Sequence, residues 1–209
     1  MLKRLSIFSI LVISVQLIAA QLISPYAAFK RYTSEDGLSQ QVVRSIVQDQ
    51  EGFIWIGTED GLNKFDGYEF KQYRNIRNDQ SSLPDNFIYA LCPSADGSLW
   101  IGTNSSGIAR FDPVSNSFKN WPSDPANPNS LKANRIYTLY EDSEGILWIG
   151  TYDGGLSRFD PKSEEFTNDL ADGKFESLAS NMVTGIQRSN DDTLWVRTSD
   201  ALQVLYPKY

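Results

Sequence analysis

Few side chains in this sequence have the type and spacing to do chemistry. Three aspartates, Asp66, Asp112 and Asp160, each follow a phenylalanine. A ring of such carboxylates could hold a cation or cleave a glycosidic bond. Each also opens a turn, twice as Asp-Pro, and a turn cap accounts for all three without a ligand. Cys92 is the single cysteine, so no intramolecular disulfide can form. Its setting, Ala90-Leu91-Cys92, predicts a small buried apolar residue rather than a reactive thiol. The histidine count is zero. That removes Ser-His-Asp and Cys-His nucleophile activation, histidine metal sites and phosphohistidine chemistry from this chain. No cofactor, no metal site and no catalytic residue is expected.

The elements that must position any remaining site are repeats. Gly52 to Asp66 (GFIWIGTEDGLNKFD) returns as Gly97 to Asp112 and Gly145 to Asp160, and in altered form from Thr193 to Leu205. With the tryptophans as register marks, Trp55, Trp100, Trp148 and Trp195 are 45, 48 and 47 residues apart. A period of about 40–50 residues is that of a four-stranded propeller blade. Each repeat holds four short runs bounded by turn residues. The first alternates apolar and polar, as at Val42 to Asp49. The second, Phe53 to Thr58 and its copies, is nearly continuous in apolar residues, as suits a strand buried on both faces. The third is Leu62 to Phe65 and the fourth Phe70-Lys-Gln-Tyr73, with Phe118-Lys-Asn-Trp121 as its copy. The expected class is all-β: a propeller of four blades at about 37–76, 82–121, 130–170 and 177–209, with Phe29-Lys-Arg-Tyr32 as an extra outer strand.

Residues needed in every blade are read as architecture: Trp55, Gly57, Trp100, Gly102, Trp148, Gly150 and Trp195. Ser45, Ala90, Thr138 and Gly185 form a column of small residues in the innermost strand, where strands crowd toward the axis. Specificity belongs at positions that differ between repeats and lie near the axis. The candidate ligand-binding residues are therefore Asp85, Phe87 and Arg135, entering the inner strands, and Tyr152 in a hairpin. Aromatic rings with polar neighbours suit sugars.

The first 20 residues have a basic start at Lys3 and Arg4, an apolar run and small residues at Ala19-Ala20. This order reads as a secretory signal peptide cleaved after Ala20. An uncleaved anchor is the alternative, although the run from Leu5 to Ala20 is shorter than the roughly 20 residues that span hydrocarbon. The exported product, residues 21–209, is expected in the periplasm with no membrane span. The net charge of −7 repels phosphate backbones, so nucleic acid is not an expected partner. With 41% hydrophobic and 12% aromatic residues there is material for a real core.

Gly145 to Pro161 (GILWIGTYDGGLSRFDP) resembles the two-component regulator propeller repeat, and Tyr32 to Val43 resembles the entry to the first blade of periplasmic sensors in hybrid two-component systems. The resemblance implies an extracytoplasmic propeller that recognises a ligand, often glycan-derived, and passes the event to a histidine kinase. Kinase activity does not carry over to a chain without histidine. The family's usual propeller is seven-bladed, so the four repeats are expected as an open arc of a larger ring. Other blades or another chain would then lie at its edges. The alternative is a ring of four blades closed by the N-terminal strand. The fourth repeat departs from the pattern at Asp192, Arg197, Ala201 and Leu205-Tyr206. Two other functions stay open: a propeller enzyme acting on polysaccharide, as lyase or glycosidase, and a scaffold for another protein.

Overall fold

The computed structural model describes residues 28–189 and 193–206; the proposed leader and Asp192 lie outside them. The chain divides into two units, Met1–Tyr32 and Thr33–Tyr209. In the first, Phe29 to Tyr32, expected as an outer strand, adopts no strand. Phe29 is fully exposed and Lys30 Nζ lies 4.6 Å from the centre of the Tyr32 ring. A strand needs a ladder partner, and these residues carry no ladder.

The second unit holds four antiparallel sheets. Blade one is β1 (Val43–Gln48), β2 (Ile54–Thr58), β3 (Gly61–Phe65) and β4 (Phe70–Tyr73). Blade two is β5 (Ile88–Pro93), β6 (Leu99–Thr103), β7 (Ile108–Asp112) and β8 (Ser117–Trp121). Blade three is β9 (Ile136–Glu141), β10 (Leu147–Thr151), β11 (Leu156–Asp160) and β12 (Glu165–Asp169). Blade four has three strands among the described residues: β13 (Val183–Arg188), β14 (Leu194–Thr198) and β15 (Leu202–Leu205). The helical content among the described residues of the unit is one 3₁₀ turn, Ser34–Asp36, capped by Thr33 in a capping box.

Turn chemistry closes the hairpins as the residue types require. Gly52, Gly97 and Gly145 have φ of 91°, 86° and 82°, a region that side chains disfavour. Thr58, Thr103, Thr151 and Thr198 each donate from Oγ1 to a carbonyl across the second hairpin. Asp66 accepts from the amides of Tyr68 and Glu69, Asp112 from the Val114 amide and the Ser115 hydroxyl, and Asp160 from the Lys162 amide. The repeated aspartates are turn caps.

Blades stack through their second-strand tryptophans and a rule of close approach. Trp55, Trp100 and Trp148 are at most 4% exposed. Opposite the small column, Ser45 pairs with Gly57, Ala90 with Gly102 and Thr138 with Gly150. Onto each of these glycines presses the first residue of the next blade's inner strand. A Cβ on Gly57 would lie 2.6 Å from Ile88 Cγ2, on Gly102 2.7 Å from Ile136 Cγ2, and on Gly150 2.7 Å from Val183 Cγ1. In blade four the equivalent position is Arg197, paired with Gly185.

The inner strands pack in succession, β1 on β5, β5 on β9 and β9 on β13. Val43, which would press on a preceding glycine, is 38% exposed, and Trp195 is 41% exposed. The four blades therefore form an open arc, which corrects the closed four-blade alternative. The reason is local: blade four offers Arg197 where a neighbouring Val or Ile needs a glycine.

Candidate functional site

Every inner strand carries a bulge at the same place. The register shifts between Val43 and Ser45, between Ile88 and Ala90, opposite Gly150/Thr151, and between Val183 and Gly185. The extra residues are Arg44, Tyr89, Tyr137 and Thr184. A bulge re-aims a side chain out of the regular alternation. Here it turns one variable residue per blade onto a shared strip.

Ring contacts run along that strip through blades two and three. Phe87 and Tyr89 have centroids 4.7 Å apart, Tyr89 meets Tyr137 edge-on at 5.1 Å, and Tyr137 meets Tyr152 edge-on at 5.7 Å. Arginines cap both ends. Arg44 lies 5.6 Å from the Phe87 centroid and 5.8 Å from that of Tyr89. Arg135 lies 4.7 Å from the Tyr152 centroid. Arg44 also pairs with Glu59, and the Glu59 bond keeps its guanidinium charged. Arg135 has no carboxylate partner among the described residues. Backbone bonds set the geometry: the amides of Glu59, Asn104, Tyr152 and Ser199 donate to the carbonyls of Val42, Phe87, Arg135 and Met182. This ties each second hairpin to its own bulge.

The structure thus brings together three of the four residues expected from sequence, Phe87, Arg135 and Tyr152. It gives Asp85 a different setting. The Asp85 carboxylate accepts from the Phe87 amide at 3.0 Å and from the Ser105 amide and hydroxyl at 2.8 and 2.7 Å, bracing the hairpin of blade two. Sequence reasoning missed Arg44, Tyr89 and Tyr137. It also missed Asn86, Asn134 and Asn181, whose carbonyls accept from the hairpin glycines Gly61, Gly107 and Gly155 of the preceding blade.

Elsewhere the titratable groups serve the fold. Trp55 donates to Asp49 at 2.7 Å and Trp148 to Asp142 at 2.9 Å. Blade two has Ser94 at that position, and Glu141 of blade three reaches across instead. It accepts from Trp100 Nε1 at 2.7 Å, Ser94 Oγ at 2.9 Å and the Ala95 amide at 3.2 Å. Burial pushes the Cys92 thiol up to about 11. No group of three or more metal-ligating side chains occurs among the described residues. No helix there is long and apolar enough to cross a membrane.

The fold and the repeated residues define a β-propeller built from tryptophan-centred blades. Its repeats match the two component regulator propeller family at residues 37–60, 82–105 and 130–153, so these are repeats of that family. The extracellular domain of BT3049, a hybrid two component system of B. thetaiotaomicron, superposes with a TM-score of 0.76 at 28% identity, over 84% of this chain and 25% of that one. Histidine kinase P4 of Formosa agariphila is 43% identical over 81 residues, which is 39% of this chain and 6% of the kinase. The chain therefore spans a small part of these relatives. The propeller fold is shared with enzymes too. Virginiamycin B lyase of Staphylococcus aureus has a TM-score of 0.55 at 17% identity, over 78% of this chain and 55% of the lyase.

Proposed function

We propose that this chain is an extracytoplasmic ligand-sensing propeller segment of a two-component system, non-catalytic in itself, and that the bulge strip holds a glycan-related ligand. The observation that carries the reading is the row Phe87, Tyr89, Tyr137 and Tyr152 with Arg44 and Arg135 at its ends. Aromatic faces take the apolar faces of sugar rings, and guanidinium groups donate to hydroxyl or carboxylate oxygens. The rim is also where blades contribute unlike residues while their frames are alike. The likeness to extracellular domains of two-component systems supports placement outside the cytoplasm, and the basic-apolar-small order of residues 1–20 supports export by a leader. The test is a glycan panel titrated by calorimetry against the protein and its Tyr137→Ala and Arg135→Ala variants. Each variant should weaken binding about tenfold, since removing a stacked ring or a charged bond is worth on the order of 1–2 kcal/mol. Binding untouched by both would place the site elsewhere, and turnover of any glycan by the pure protein would overturn the non-catalytic reading.

A further inference from the structure

The two arginines that cap the aromatic strip differ in what meets their charge. At the blade-one end Arg44 donates from Nε to Glu59 Oε1 at 2.9 Å and pairs with the same oxygen through Nη2, so its charge is met within the protein. Glu59 is the residue just after β2, tied by its amide to the Val42 carbonyl at 3.3 Å. Tyr152 holds the same place after β10, its amide on the Arg135 carbonyl at 3.0 Å. Blade three thus has a ring where blade one has a carboxylate. Arg135 lies over that ring, 4.7 Å from its centre, and forms no ion pair and no side-chain hydrogen bond among the described residues.

Stacking on a ring uses the face of a guanidinium and leaves its N–H donors, which lie in the plane, unspent. Arg135 is half-buried, and the ring offsets only part of the cost of drawing its charge partly out of water. Other arginines of the unit spend their donors on the protein: Arg74 on Asp60 and the Ser39 carbonyl, Arg110 on Asp96 and Ser98, Arg197 on Thr184. Blade three has a described blade on either side, with β9 packed on both β5 and β13. The acids closest to the hand in these blades do not serve. Asp85 is held by the amide and hydroxyl of Ser105, and Asp153, beside Tyr152 in the hairpin, forms no ion pair with Arg135. The surroundings of Arg135 supply rings and no anion.

We infer that the strip, on the reading that it is a ligand site, selects an acidic sugar: a uronate residue whose carboxylate takes the guanidinium of Arg135. The fork of a guanidinium matches the two oxygens of a carboxylate, and such charge-assisted bonds are roughly twice as strong as neutral ones. A hydroxymethyl group on the same carbon offers one neutral acceptor in place of that pair. Arg44 makes no such distinction, because Glu59 already occupies it. The ligand is therefore oriented, with its acid group on blade three beside Tyr137 and Tyr152 and its neutral part running toward Tyr89 and Phe87 on blade two.

The test titrates the full chain by calorimetry with trisaccharides in matched pairs that differ only at C6 of the terminal ring, hydroxymethyl against carboxylate: gluco with glucurono, galacto with galacturono, manno with mannurono. In a pair that binds, the acid should bind about tenfold more tightly than its neutral counterpart. Arg135→Gln should remove that preference, and Arg44→Gln should leave the ratio between the members as it was. Equal or tighter binding by the neutral member in every pair that binds, or a preference that survives Arg135→Gln, would overturn the inference while leaving the strip as a ligand site. Binding of neither member in any pair would sink the reading of the strip as a sugar site and this inference with it. The comparison within a pair uses the unaltered protein, so a folding defect in a variant cannot hide the answer.

Discussion

Gly150→Ala should destabilise the unit strongly, and Gly185→Ala should not. The two glycines lie in neighbouring blades, and neither has the positive φ that disfavours a side chain. Backbone strain is thus the same for both, and only space differs. A Cβ on Gly150 would sit 2.4 Å from Thr138 Cγ2, 2.7 Å from Val183 Cγ1 and 3.0 Å from the Val183 carbonyl. All are well inside van der Waals contact, and all lie on β9 and β13, the neighbouring strands that squeeze the position. A Cβ on Gly185 would meet nothing nearer than Arg197 Nε at 3.4 Å, the far end of a flexible side chain. Overpacking a close-packed site costs about 1–3 kcal/mol, and three contacts of this depth put Gly150→Ala at the upper end. For a unit of this size that is a fall in Tm of roughly 6–10 °C. Gly185→Ala should be neutral or gain a few tenths of a kcal/mol, since alanine narrows the unfolded ensemble. The assay is urea denaturation followed by tryptophan fluorescence, with Thr138→Ser added to Gly150→Ala. Serine lacks the Cγ2 methyl, so the double variant should recover part of the loss. Equal losses at the two glycines, or no recovery with Thr138→Ser, would refute the close-approach rule.

Other consequences are as direct. Glu141→Ala strips three bonds from Trp100, Ser94 and Ala95 and should cost about 2–3 kcal/mol, read by the same denaturation assay. Cys92, its thiol raised to about 11 by burial, should react with iodoacetamide at pH 8 on the order of a hundredfold more slowly in the native chain than in urea. Asp169 is raised above its ordinary 3.8 by burial, with the Arg158 charge opposing. Between the ordinary and the folded value the folded state binds more protons, so Asp169 makes stability fall as pH rises through that window. Asp169→Asn should therefore raise Tm at pH 7 and lose that advantage at pH 3.

Much of the architecture was legible because it repeats. A tryptophan every 45 to 48 residues, glycines at hairpins and Asp-Pro turns each fix a strand or its end, and their order names a blade. The reason for Gly57, Gly102 and Gly150 was not legible. It lies in Ile88, Ile136 and Val183 of the following blade, some 30 residues on, and only stacking brings them into contact. The site divides the same way. Phe87, Arg135 and Tyr152 stood out as departures between repeats. Tyr89 and Tyr137 did not, because strict alternation assigns them to a sheet face, and a bulge breaks alternation. A signal was present nonetheless: in Val43-Arg44-Ser45, Ile88-Tyr89-Ala90, Ile136-Tyr137-Thr138 and Val183-Thr184-Gly185 the outer positions keep their type while the middle one changes. A variable residue clasped between a fixed apolar and a fixed small one marks the bulge.

Arg197 joins the two themes of frame and site. It takes the place of a glycine that elsewhere receives the next blade, and it uses the space for its own contacts. Its Nε donates to Thr184 Oγ1 at 2.9 Å and its Nη2 to the Thr184 carbonyl at 3.0 Å. Thr184 is the bulge residue of blade four, so the arginine fixes that blade's contribution to the strip. If the position were only a worn copy of the glycine, Arg197→Gly should be harmless. The two charge-assisted bonds argue otherwise, and together they are worth about 1.5–3 kcal/mol where the groups are partly buried. Arg197 is exposed, which puts its loss at the low end, near 1 kcal/mol. Hydrogen exchange gives the decisive readout: Arg197→Gly should speed exchange in β13 around Thr184 and leave β5 and β9 unchanged. Uniform change across all inner strands would mean that the arginine acts on the stack rather than on its own bulge.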